Sequence, residues 1–121
     1  MKRDMELVRQ LLLFIEQNQE FDSVDSQEIQ IDGYSEGQIG YHLKIMVDGG
    51  LLDAQDTTTY DSVSYDFFIR SITWYGHEFL DAVRDEGVWD HTKKALLPIG
   101  SASFDVVKSI AVAYIGSKLG L

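Results

Sequence analysis

An α+β fold is predicted by three features of the 121-residue chain. A capped amphipathic helix runs from Ser35 to a Gly49-Gly50 stop, apolar strand segments flank a polar tip between Leu51 and Ile72, and the remainder to Leu121 shows helical periodicity. Helix, stop and returning hairpin, carried by YSEGQIGYHLKIMVDGGLLDA from Tyr34 to Ala54, follow the order of the recognition half of a winged-helix domain, in which that helix enters the DNA major groove. The expected fold is therefore a winged-helix-like domain with a small antiparallel sheet of about three strands and additional C-terminal helices.

The elements follow in order. Asp4 is placed to cap a first helix running to about Asn18, whose Met5, Val8, Leu12 and Ile15 repeat at helical spacing while Leu7, Leu11 and Phe14 widen the stripe. Gln19 to Gln27 is a polar connector. Glu28 to Asp32 alternates through Ile29 and Ile31, which predicts a short strand before the Asp32-Gly33 turn. Ser35 and Gln38 make a capping box for helix 2, and Ile39, Leu43 and Met46 form its buried stripe. The hairpin pairs a strand starting at Leu51 with one from Tyr65 to Ile72, with Tyr65, Phe67 and Ile69 on one face. Phe68 points to cover on the other face as well. Thr73 caps a third helix running to about Asp85, Gly87 interrupts the pattern, and a short helix from Val88 ends before Pro98. The last helix begins near Ser101 or Ser103, with Phe104, Val107, Ala111, Ile115 and Leu119 along one side.

Length and an apolar fraction of 45% fit one globular domain over residues 1–121. Residues 86–121 are expected to be a helical extension packing on helix 1, whose apolar surface is wider than one neighbour needs. The net charge of −10 is concentrated: Glu16 to Asp66 holds twelve acids against Lys44 alone. Such a surface repels phosphate backbones and anionic lipid, and favours basic partners. The absence of cysteine removes disulfides, thiolate catalysis and Cys-ligated metals. The most apolar region, Ile99 to Leu121, contains Asp105, Lys108 and Lys118, and no signal peptide is visible, so a cytoplasmic protein without a membrane span is expected.

MKRDMELVRQLL, YHLKIMVDGGLLDA, ITWYGHEFLDAVRDEGVWDHTKK and SIAVAYIGSKLGL together resemble the bacterial and phage family catalogued as domain of unknown function 2513. The resemblance covers almost the whole chain, and ITWYGHEFLDAVRD is its most specific block. It implies a small winged-helix-like protein often carried on prophages, with no established activity and no catalytic residues to carry over.

Five constellations were weighed for chemistry. On helix 2 the outward positions include Glu36, Gly37, Gly40, Tyr41, Lys44 and Asp48, and one lysine among acids is a poor phosphate reader. DNA contact would need Lys2, Arg3, Arg9, Lys93 and Lys94 to cluster elsewhere. His42, His77 and His91 lack metal-site spacing, and His42 and His77 read as partly buried, hydrogen-bonded residues at packing seams. Gly33, Gly37 and Gly40 are followed by no Walker lysine. Among the aromatics, Trp74 and Tyr75 at the start of helix 3 are the best candidates for an exposed anchor. The small residues of the last helix permit close helix approach, in cis or in a homodimer.

The reading that results is a non-enzymatic, prophage-associated interaction module without cofactor or metal, which is expected to bind a basic protein partner. Its expected surface is Glu36, Tyr41, Lys44, Asp48, Asp56, Asp61, Trp74 and Tyr75. The alternatives are a DNA-binding, transcription-regulator-like protein and an acidic DNA-mimicking inhibitor. Monomer and homodimer both remain open.

Overall fold

The fold is α+β, as a computed structural model describes it over residues 1–19, 23–100 and 102–121. Helix α1 (Met5–Asn18) leads to a two-residue strand β1 (Val24–Asp25) and a single 3-10 turn (Ser26–Glu28). Helix α2 (Glu36–Asp48), strands β2 (Leu52–Asp56) and β3 (Phe67–Ile72), and helices α3 (Trp74–Val83), α4 (Glu86–Leu96) and α5 (Phe104–Lys118) follow. The sheet has the order β1-β3-β2, antiparallel throughout, with β3 in the centre and a register shift at Asp53/Ala54.

The helix boundaries are set by local hydrogen bonds. Asp4 Oδ1 accepts from the amides of Glu6 and Leu7, opening α1. The Ser35 hydroxyl accepts from Gln38 N while Gln38 Oε1 accepts from Ser35 N, so both halves of the capping box form. At the other end of α2, Gly50 N donates to Val47 O and Leu51 N to Met46 O, the two bonds of a Schellman stop. Gly50 sits at φ +81°, where a side chain would be strained.

The chain divides into two compact units, Met1–His77 and Glu78–Leu121, with the boundary inside α3. In the first, α1 packs on α2 and β3, and α2 packs on β2. Leu7, Leu11, Leu12 and Ile15 meet Leu43, Phe67 and Ile69 in a core from which water is excluded; each such side chain contributes about 1.5–3 kcal/mol of transfer free energy. In the second, α4 and α5 pack together. Phe79 stacks on Phe104, with centroids 4.3 Å apart, and His91 stacks on Tyr114 at 3.9 Å.

Several expectations are corrected. The strand predicted at Glu28 to Asp32 lies earlier, at Val24–Asp25, because Val24 and Asp25 pair with Ile69 and Phe68. The ladder ends there: Phe67 N, which a next strand residue would have engaged, donates to the Ser26 hydroxyl instead. Asp25 then caps the 3-10 turn through Gln27 N. Tyr65 precedes β3 rather than lying in it. The far face of the sheet is open at Phe68, which is 43% exposed. Helix α3 ends at Val83, and Gly87 lies inside the first turn of α4, capped by Asp85 rather than beginning at Val88. Helix α5 is capped by Ser103, while Ser101 and the connector residues Glu20 to Asp22 lie outside the described residues.

Candidate interaction site: an acidic groove beside the hairpin

The segment from Asp25 to Glu36 and the hairpin loop from Thr57 to Asp66 face one another across a groove of about 990 Å³. Local bonds shape both sides. Asp66 N donates to the Thr58 hydroxyl and Thr57 N to Asp66 O, closing the base of the loop. Ser64 Oγ donates to Glu36 O at 3.2 Å, tying the loop to the first turn of α2. That approach is possible because Gly40 carries no side chain: a Cβ there would lie 1.8 Å from Ser64 Oγ and 3.0 Å from Tyr65 O. Gly40 is therefore a packing position under the loop, not the outward position its place in the sequence suggests.

The groove is lined by the carboxylates of Asp25, Asp32, Glu36, Asp61 and Asp66, with no Lys or Arg among its described lining residues. The same lining holds Val63, Tyr65 and Phe68, all exposed to solvent, and Tyr60, next to Asp61 in the loop, is fully exposed. Tyr34 also lines the groove and donates to Asp4 Oδ2 at 2.9 Å. Partial burial, and then the hydrogen bond to that carboxylate, push the Tyr34 hydroxyl up to about 12.

Of the residues expected to form a surface, Glu36 and Asp61 line the groove. Lys44, Asp48 and Asp56 form a second cluster: Lys44 Nζ is 2.6 Å from Asp48 Oδ2 and lies 6.0 Å from the Tyr65 ring centroid. The bond to Asp48 raises the Lys44 ammonium above its ordinary value, and the Thr58 hydroxyl holds Asp56 below the usual carboxylate range. The lysine of α2 is thus paired with Asp48 on the surface of its own helix. Arg9, one of the five bases that DNA contact would need, is buried. Tyr41 meets the edge of the His42 ring. Trp74 is exposed, as expected of an anchor, and Tyr75 partly so, but neither lines the groove.

The histidines part company. His42 is buried, with Nδ1 2.7 Å from Gln38 O and Nε2 accepting from Asp4 N at 2.9 Å. An acceptor role for Nε2 leaves Nδ1 to carry the proton, so His42 is the neutral Nδ1-H tautomer. His77, read as partly buried, is exposed. Among the described residues no group of three or more His, Asp or Glu is placed to hold a metal ion, and no helix is long and apolar enough to cross a membrane. Asp25, Asp32 and Asp66 escaped the sequence reading as site residues, while Tyr65 and Phe68 stood among the candidate aromatics but gave way to Trp74 and Tyr75. The density of acids from Glu16 to Asp66 was the one signal for the three carboxylates.

The fold and groove define a small α+β protein with an acidic, partly apolar recess built against its hairpin. The chain belongs to the family described as Hypothetical protein (DUF2513), which it matches over residues 2–102. It is 30% identical to an uncharacterized protein of Haemophilus influenzae over 120 residues, 98% of this chain and 99% of that one. No solved structure matches it.

Proposed function

We propose that this protein is a non-enzymatic, winged-helix-like interaction module of the cytoplasm that binds a basic protein partner through the groove between the α2 approach and the hairpin. One observation carries the reading: five carboxylates and no Lys or Arg line the recess that the helix and hairpin enclose. A protein that held DNA here would bring phosphates against these acids, whereas specific DNA binders neutralise several phosphates with Lys or Arg. The geometry around α2 supports the same choice. Between α1 and α2 the only helical element among the described residues is the turn Ser26–Glu28, so the helix that braces a recognition helix on the DNA backbone has no counterpart there.

Titration of the full chain with duplex DNA at low salt, and with a cationic protein, tests this reading. Binding to the cationic protein that is lost in a D61N/D66N variant is the expected result. Tight DNA binding that weakens steeply with salt would overturn it.

A further inference from the structure

We infer that the groove takes an extended peptide segment in which Lys or Arg alternates with apolar side chains, the apolar ones seated on Tyr65 and Phe68. The inference rests on the basic-partner reading and narrows it. Size is the first argument. At about 990 Å³ the recess sits at the upper end of the range of ligand clefts. A stretch of extended chain fits a recess of this size.

The second argument is the open sheet face. Phe68 belongs to β3, the central strand, yet is 43% exposed, and Val63 on the adjoining loop is 88% exposed. Large apolar side chains gathered in a concave recess are the usual anchors of an interface, in contrast to single apolar residues scattered over a surface.

Charge complementarity specifies the rest of the occupant. Carboxylates come from both sides, Asp25, Asp32 and Glu36 from the approach to α2, Asp61 and Asp66 from the hairpin loop. Rim ion pairs that stay solvated add little affinity, although they steer encounter and reject anionic segments. Affinity must come from burial on Tyr65 and Phe68. An extended chain directs successive side chains to opposite sides, so alternation of cationic and apolar residues satisfies both demands.

The test uses the isotopically labelled full chain and two synthetic peptides of equal length and charge, one alternating Lys with Leu and one alternating Lys with Ser. The expected result is that the Lys-Leu peptide shifts the amides of Asp25 to Glu36 and Thr57 to Phe68 and binds about tenfold more tightly than the Lys-Ser peptide. Phe68→Ser, and separately Tyr65→Ser, should remove that advantage. Equal affinity of the two peptides, abolished by D61N/D66N, would overturn the inference and leave the basic-partner reading standing. Failure of both peptides to bind at low salt would overturn both.

Discussion

Ser64 rests on Gly40 with no room between them: a methyl group on Gly40 would lie 1.8 Å from the Ser64 hydroxyl oxygen. The contact joins α2 to the hairpin loop and holds one side of the groove in place. Two effects compete in Gly40→Ala. Helix propensity favours Ala by about 1 kcal/mol, while forcing a group into a filled site costs about 1–3 kcal/mol. The clash involves the backbone oxygen of Tyr65 at 3.0 Å as well as a movable side chain. Gly40→Ala is therefore expected to be net destabilising in denaturant unfolding, with partial recovery in G40A/S64G. Gly37→Ala, whose Cβ would meet only Ser35 Oγ at 3.8 Å, serves as the control and should be neutral or stabilising.

Gly76 makes a closer approach to backbone. Thr73 N donates to Leu51 O and the Thr73 hydroxyl to Gly50 O, so the start of α3 is drawn onto the turn that ends α2. A Cβ on Gly76 would lie 2.3 Å from Leu51 O and 2.7 Å from Ile72 Cγ2. Because the first of these is backbone, Gly76→Ala should cost more than Gly40→Ala, at least about 2–3 kcal/mol. Equal thermal midpoints for wild type and Gly76→Ala would refute this packing.

His42 links the two helices of the first unit through Asp4 N and Gln38 O. Replacing it with Phe preserves an aromatic ring and leaves the amide of Asp4 without its acceptor. The expected loss is about 1–3 kcal/mol, the cost of an unmade hydrogen bond at a buried or partly buried donor. Nitrogen chemical shifts of the His42 ring at neutral pH should show the Nδ1-H tautomer. The Nε2-H form would contradict the arrangement.

Tyr34 makes stability sensitive to alkali. Its hydroxyl is raised from 10.0 to about 12 by burial and by the Asp4 carboxylate, so the folded state holds this proton more firmly than the unfolded chain. The associated stability is fully present below about pH 10 and is lost as pH rises through about 12, as a phenolate forms against a carboxylate. Unfolding free energies measured across that range should fall more steeply for wild type than for Tyr34→Phe. Parallel curves would show that Asp4 does not hold the proton.

Much of the fold was legible because its signals are local. Asp4, Ser35 with Gln38, and Gly50 act on residues two to five positions away, so spacing alone exposes them. The stripe Ile39, Leu43 and Met46 is buried as periodicity predicts. The short strand was misplaced for the opposite reason. Ile29 and Ile31 alternate as strand residues do, but pairing depends on what stands opposite in β3, and there Val24 and Asp25 meet Ile69 and Phe68. The Ser26 hydroxyl bonded to Phe67 N then ends the ladder, through a contact 41 residues apart in the chain.

The site divides along the same line. Composition by itself determined that the approach to α2 and the hairpin would be acidic, since charge is a property of residues wherever they fold. Only the tertiary structure decided that Asp25, Asp32 and Glu36 face Asp61 and Asp66 across one recess, and that Phe68 stays open to water. The first of these depends on the hairpin loop coming down onto Gly40, where Ser64 bonds to Glu36 O. Such a contact is set by packing between segments distant in sequence, which no local period or spacing records.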